Sequence, residues 1–165
     1  MAASAGRAMQ RGGGADEAPV RPERPLGPVL EFMRALWGVN HGLESTSRRM
    51  KAALGISGPE RMAVRLVGRY PGISAGELAR ILRVHPSTLT GLLKRLVRRG
   101  VLNRSVDQED SRRSVLTLTH KGGAIDRIRR GTVEAVVRGA LEEIPARNVE
   151  VAVSVLEGLM RSFER

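Results

Sequence analysis

The chain has 165 residues and carries 28 Lys and Arg against 17 Asp and Glu, a formal net charge of +11 at pH 7. That length suits one ordinary domain with a proper core and is short for two, while the charge predicts attraction to polyanions, nucleic acid ahead of an anionic membrane surface. With no cysteine in the chain, disulfide frameworks, thiol redox sensing, thiolate nucleophiles and Cys-based zinc sites are excluded. No apolar run approaches the roughly 20 residues that cross a bilayer, and "MAASAGRAMQRGGGADEAPV" at the start lacks the apolar core of a signal peptide. The expectation is a soluble, cytoplasmic protein without membrane contact.

Residues 1–27 are rich in Gly, Ala, Arg and Pro and cannot bury enough apolar surface to order themselves, so they read as a flexible tail. From Pro28 the pattern turns helical: Val29, Phe32, Met33, Leu36, Trp37, Val39 and Leu43 recur at three- and four-residue steps and run on towards Met50 and Leu54. A second helix is predicted from "GPERMAVRLVGRYPG", with Ser57 as cap, Pro59 in the first turn, and Pro71 and Gly72 as the stop. "SAGELARILRV" opens a third with Ser74 and Glu77 at capping-box spacing and Leu78, Ile81 and Leu82 as a short apolar face. In "HPSTLTGLLKRLVRRG", His85 precedes a first-turn proline and Gly100 marks the end.

That fourth helix has two faces. Leu89, Leu92, Leu93, Leu96 and Val97 fall on one side, and Ser87, Thr88, Thr90, Gly91, Lys94, Arg95, Arg98 and Arg99 on the other or at its margins. Two short helices joined by a tight link have the geometry of a helix-turn-helix, with the leucines facing the core and the polar face suited to a major groove. The groove is about 12 Å wide, hydroxyls near the helix start can reach phosphates or base edges, and Arg and Lys can contact phosphate or guanine. Charge agrees with this placement, since residues 83–113 hold eight basic and three acidic side chains while 120–165 hold eight and seven.

"GVLNRSVDQEDSRRSVLTLTHKGG" then reads as strand, turn, strand. Val101, Leu102 and Arg104 start one strand, "DQED" forms the turn, and "SVLTLT" returns with strong β-formers. A hairpin after a recognition helix is a wing, with Arg112 and Arg113 at its tip beside Asp107, Glu109 and Asp110, placed to enter a narrow minor groove. The candidate DNA surface is therefore Ser74, His85, Ser87, Thr88, Thr90, Gly91, Lys94, Arg95, Arg98, Arg104, Asp110, Arg112 and Arg113. "THKGGAIDRIRRGTVEAVVRGALEEI" and "PARNVEVAVSVLEGLMRSF" predict two further amphipathic helices, nearly balanced in charge.

From about Pro28 onward the chain resembles the multiple antibiotic resistance regulator (MarR) family of winged-helix transcription factors. The resemblance rests on "ISAGELARILRVHPSTLTGLLKRLVRRGVLNRSVDQEDSRRSVLTLTHKG", and within it on the D-x-x-D-x-R of Asp107, Asp110 and Arg112, followed by Leu118, Thr119 and Gly122. It implies a mostly α fold with a small β-hairpin wing, in which 56–119 form the winged helix-turn-helix and 28–55 and 120–165 the dimerisation helices. It implies a homodimeric repressor whose recognition helices enter successive major grooves of a pseudo-palindrome while Arg112 enters the minor groove. It also implies release by a small-molecule effector, with Phe32, Leu36, Trp37, His41, Met62, Arg65, Leu66 and Arg69 as candidate pocket residues suited to an anionic aromatic. The first 27 residues and the missing cysteine of peroxide-sensing members depart from the pattern.

Enzymatic readings find little support. His41, His85 and His120 are too scattered for a metal site, no GxxxxGK[ST] phosphate loop occurs, and no serine sits in a nucleophile elbow. No catalytic residue, metal or cofactor is expected. Two other readings remain open: a nucleoid-like or RNA-binding protein that uses the same basic surface without reading bases, and a protein-interaction module whose winged helix has lost DNA.

Overall fold

The computed structural model describes residues 25–107, 110 and 113–163, and divides the chain into two units, Met1–Leu36 and Trp37–Arg165. The elements are α1 (Gly27–Leu54), α2 (Gly58–Arg69), β1 (Ile73–Ser74), α3 (Ala75–Leu82), α4 (Pro86–Arg98), β2 (Leu102–Val106), β3 (Ser114–Leu118), α5 (His120–Arg127), α6 (Val133–Glu142) and α7 (Ala146–Phe163). The architecture is mostly helical with one small antiparallel sheet of order β1-β3-β2. Most of the tail predicted at 1–27 lies outside the described residues, as do Glu109 and Arg112 in the wing. Among the described residues, no helix is long and apolar enough to cross a membrane.

Local chemistry sets the helix limits in the second unit. Ser57 and Ser74 each cap a helix reciprocally: the Glu60 carboxylate accepts the Ser57 N–H at 3.0 Å and the Glu77 carboxylate accepts the Ser74 N–H at 2.9 Å, which satisfies amides that a helix start leaves orphaned. Helix α3 closes on Arg83, the one described non-glycine residue with positive φ (50°), and after Val84 the His85 ring caps α4 by accepting the Ser87 N–H. This link of 83–85 makes the helix-turn-helix. At the far end of α4, Gly100 takes φ 65° while Gly100 N–H reaches Val97 O and Val101 N–H reaches Leu96 O, both at 2.9 Å, the paired closure for which glycine is suited.

One core holds these elements together. Ile56, Val64, Val67, Leu78, Leu89, Leu92, Leu93, Leu96, Val101, Leu102 and Leu116 are all buried in a single cluster. Within the wing, Leu102 pairs with Leu118 and Arg104 with Leu116, and Leu116 turns into the core. The Thr119 hydroxyl caps α5 and also lies 2.7 Å from Gly100 O and 3.1 Å from Val101 O. Gly122, in the first turn of α5, lies so close that a Cβ there would be 2.2 Å from Val101 O. Thr119 and Gly122 thereby seat the return strand against the end of α4.

Two expectations need correction. The single helix predicted from "THKGG" to "LEEI" is two helices, α5 and α6: Ile128 is extended, Gly131 takes φ 68°, and Thr132 starts a new helix by capping Ala135 N–H. Strand β1 was not anticipated, and its two residues pair Ile73 with Leu116 and Ser74 with Val115. A two-residue strand is too short to show any periodicity.

Candidate nucleic-acid interface

Helix α4 presents the face that its leucines leave outside. Leu89, Leu92, Leu93 and Leu96 are buried, and Ser87, Thr88, Thr90, Lys94, Arg95 and Arg98 are exposed, whereas Val97 stays partly in solvent. Two of the hydroxyls are held in place in the free protein. Ser87 Oγ lies 2.8 Å from His85 Nδ1, and Thr90 Oγ1 donates to Pro86 O at 2.8 Å. Lys94 and Arg98 line a cleft of about 280 Å³ with Ala75, Thr90, Leu93, Val97 and Arg104. Three cations from α4 and β2 thus meet in one concavity; the half-buried Gly91 and Ser74, the N-cap of α3, lie outside its lining.

Other predicted contact residues are tied to the protein. The Arg95 Nε donates to Glu60 Oε1 at 3.2 Å, and Arg113 Nη2 donates to Glu77 Oε2 at 3.1 Å. Arg113 therefore ties the loop end of the wing to α3, where the sequence suggested a tip residue reaching outward. Asp110 accepts the Arg113 N–H on its carbonyl at 2.9 Å, and Arg104 Nε donates to Ser114 Oγ at 2.9 Å across the hairpin. Arg112, the expected minor-groove residue, lies outside the described residues.

Sequence reasoning read Glu77 as a helix cap and passed over Glu60, and assigned neither as a partner of these cations. Glu60 is only 4% exposed. Burial pushes its carboxyl upward, but the Ser57 amide, Arg95, the Ser57 hydroxyl and Arg99 outweigh that, and its pKa falls below the ordinary 4.5. Glu77 is lowered too, by the Ser74 hydroxyl and amide first and by Arg113 after them. The signal for both lay in the Ser-x-x-Glu spacing, which marks a carboxylate committed to a helix start. Arg61 gave no such signal, yet it is 2% exposed: its Nε donates to Glu134 Oε1 at 2.7 Å and its Nη2 to Ile128 O at 2.6 Å.

The effector candidates are dispersed. Met62 lines a cleft of about 580 Å³ with Val133, Glu134, Val137, Arg138, Leu141 and Glu142, so its wall is α6. Leu66 packs against the core, and Arg65 pairs with Asp126 at 2.8 Å. Trp37, His41 and Arg69 are exposed and lie outside that lining. Phe32 and Leu36 belong to the first unit, exposed and half-buried respectively. Among the described residues, no group of three or more His, Asp or Glu could hold a metal ion.

A three-residue turn between α3 and α4, an exposed polar face on α4 and a hairpin behind it define a winged helix-turn-helix protein. The sequence model of the MarR family matches residues 56–114, the span from the start of the core to the return strand of the wing. An HTH-type transcriptional repressor of Mycobacterium tuberculosis is 34% identical over 94 residues, covering 57% of this chain and 65% of the relative. The chain thus spans just under two thirds of that relative's length. A Staphylococcus aureus MepR–DNA complex superposes with a TM-score of 0.68 at 16% identity, over 80% of this chain and 97% of that one. The PcaV regulator of Streptomyces coelicolor, in complex with its natural ligand, gives 0.61 at 22% identity, over 78% and 88%. Residues 56–114 thus match the MarR family by sequence, and the chain more widely shares the fold of the MepR and PcaV structures.

Proposed function

We propose that this chain is a transcriptional regulator that binds double-stranded DNA, a homodimeric repressor of a pseudo-palindromic operator released by a small-molecule effector. The observation that carries the reading is the cleft where Lys94, Arg98 and Thr90 of α4 meet Arg104 of β2, on a helix that also exposes Ser87 and Thr88 in its first turn. A helix of this kind fits a major groove, with the hydroxyls at its start towards base edges and the cations towards phosphates. The relative named a transcriptional repressor and the MepR–DNA complex support it. In this reading Arg112 reaches the adjacent minor groove, Arg113 fixes the loop end of the wing against α3, and Arg95 keeps its bond to Glu60 beside the DNA.

Dimerisation is supported by helices that bury nothing of their own. No residue of α6 or α7 is buried, and Val136, Val151, Val153 and Phe163 expose half or more of their surface. A second copy would cover these stripes and repeat the basic face at a half-site about one helical turn of DNA away. The effector is proposed to enter the apolar cleft of Met62, Val137 and Leu141, where Arg138 offers a partner for an anion. PcaV, crystallised with its natural ligand, supports the existence of a bound effector.

Selection of random DNA duplexes on the full chain at about 150 mM salt tests the reading. The expected result is an enriched pseudo-palindrome bound at least about 10³-fold more tightly than random duplex, with affinity falling by a log–log slope near −0.9 per phosphate contact. Retention of duplex with less than about tenfold preference would make the chain a non-specific polyanion binder, as its +11 charge alone would allow.

A further inference from the structure

Two neighbouring residues in the first turn of α2 are buried charges that point to different parts of the second unit. Successive residues on a helix lie about 100° apart, so Glu60 and Arg61 leave α2 in different directions, and their partners differ. Glu60 faces the recognition helix: its Oε1 accepts Arg95 Nε at 3.2 Å and its Oε2 lies 3.6 Å from Arg99 Nη1. Arg61 faces the α5–α6 corner. It holds Glu134 in the first turn of α6 and donates to the Ile125, Asp126 and Ile128 carbonyls, where α5 ends. One turn further along α2, Arg65 binds Asp126 Oδ1 at 2.8 Å and strengthens the same grip.

We propose that Glu60 is the positioning residue of α4, and that through Arg61 beside it the setting of α4 is coupled to that of the α5–α6 corner. The physical reason is that neither charge has water to fall back on. Arg61 spends its donors on the carbonyls that end α5 and on Glu134, so a shift of the corner must either carry the first turn of α2 along or strand a guanidinium out of water. Whatever moves that turn moves Glu60 as well, and Glu60 holds the C-terminal end of the recognition helix by Arg95, in its last turn, and by Arg99, its C-cap. The apolar cleft at Met62 and Val137 borders Glu134 directly, so a molecule that wedges α2 from α6 acts on the corner end of this connection. Using the coupling to release DNA rests on the function proposed above; the coupling itself does not.

Native-state hydrogen exchange of the free full chain tests the coupling, with Glu134→Gln at one end and Arg95→Gln at the other. Coupling free energies are reciprocal. Glu134→Gln is expected to speed exchange in the last two turns of α4, and Arg95→Gln to speed it in 128–134, each by at least about fivefold, while the β2–β3 ladder keeps its rates. Arg95 is half-exposed, so its variant folds even if Glu134→Gln does not, and its effect at 128–134 then decides alone. Exchange that changes only around the substituted residue, or that rises equally in the β2–β3 ladder, would overturn the coupling. Because no DNA is present, either result leaves the proposed function untouched, and failure of DNA selection leaves this one untouched.

Discussion

Helices α4 and α7 are both amphipathic and both carry an apolar stripe, yet they meet opposite fates in the folded chain. Helix α4 buries Leu89, Leu92, Leu93 and Leu96 in the winged-helix core, whereas α7 buries nothing and leaves Val151, Val153, Leu156 and Phe163 exposed. The difference teaches that an apolar stripe states the need for a cover without saying which chain supplies it. Around α4 the cover is local and complete, closed by the Gly100 turn and by the seat of α5 on Val101. Around α7, among the described residues, one ion pair reaches the winged helix, Arg83 to Glu157 at 3.5 Å, and exposed pairs of that kind contribute about 0–1 kcal/mol.

Substitutions sharpen the contrast. The largest effect belongs in the core: Leu96→Ala is expected to lower unfolding free energy by about 2–5 kcal/mol in urea titration, and a loss below about 1 kcal/mol would mean that the faces of α4 are misassigned. Next comes Gly122→Ala, whose Cβ would stand 2.2 Å from Val101 O; backbone has to shift, and a loss of about 1–3 kcal/mol is expected from overpacking. On α7, Val153→Asp is expected to leave the winged-helix lobe folded, within about 0.5 kcal/mol for a surface site. It should raise the dimer dissociation constant about tenfold or more in sedimentation equilibrium, which corresponds to about 1.4 kcal/mol. A folded-state loss without a change in association would place α7 in an intramolecular core instead.

The smallest effect lies on the acid side. Glu60 and Glu134 both sit below the 4.5 of an ordinary glutamate, since hydrogen bonds and nearby arginines outweigh the upward push of burial in each. A carboxyl lowered by folding contributes stability that is complete at neutral pH and is lost as pH falls from about 4.5 through the folded value. Thermal midpoints of the full chain should thus stay flat from pH 7 to about 5 and drop below that, with a shallower drop in Glu60→Gln. An equal acid slope in that variant would remove Glu60 from the account.

Much of the winged helix was legible because its signals are local. Ser57 with Glu60, Ser74 with Glu77, His85 before Pro86, and Gly100 each fix a helix end from within a few residues, and the leucine period of α4 names its buried face. What escaped reading depends on distant partners. Arg61 looks like any wet arginine of an amphipathic helix until the α5 carbonyls, more than sixty residues on, arrive around it. The split of α5 from α6 turns on Gly131 and Thr132, each of which a continuous helix could tolerate at modest cost. Of the proposed DNA surface, Lys94 and Arg98 of α4 line one cleft with Arg104, while Arg95 and Arg113 turn to glutamates that the charge pattern alone does not pair with them.

The most direct test of the central claim is the stoichiometry of the complex, measured by sedimentation of the full chain with its selected duplex. The account predicts two chains per duplex, formed from a dimer already present without DNA. One chain per duplex, from a protein that stays monomeric at the same concentration, would contradict it.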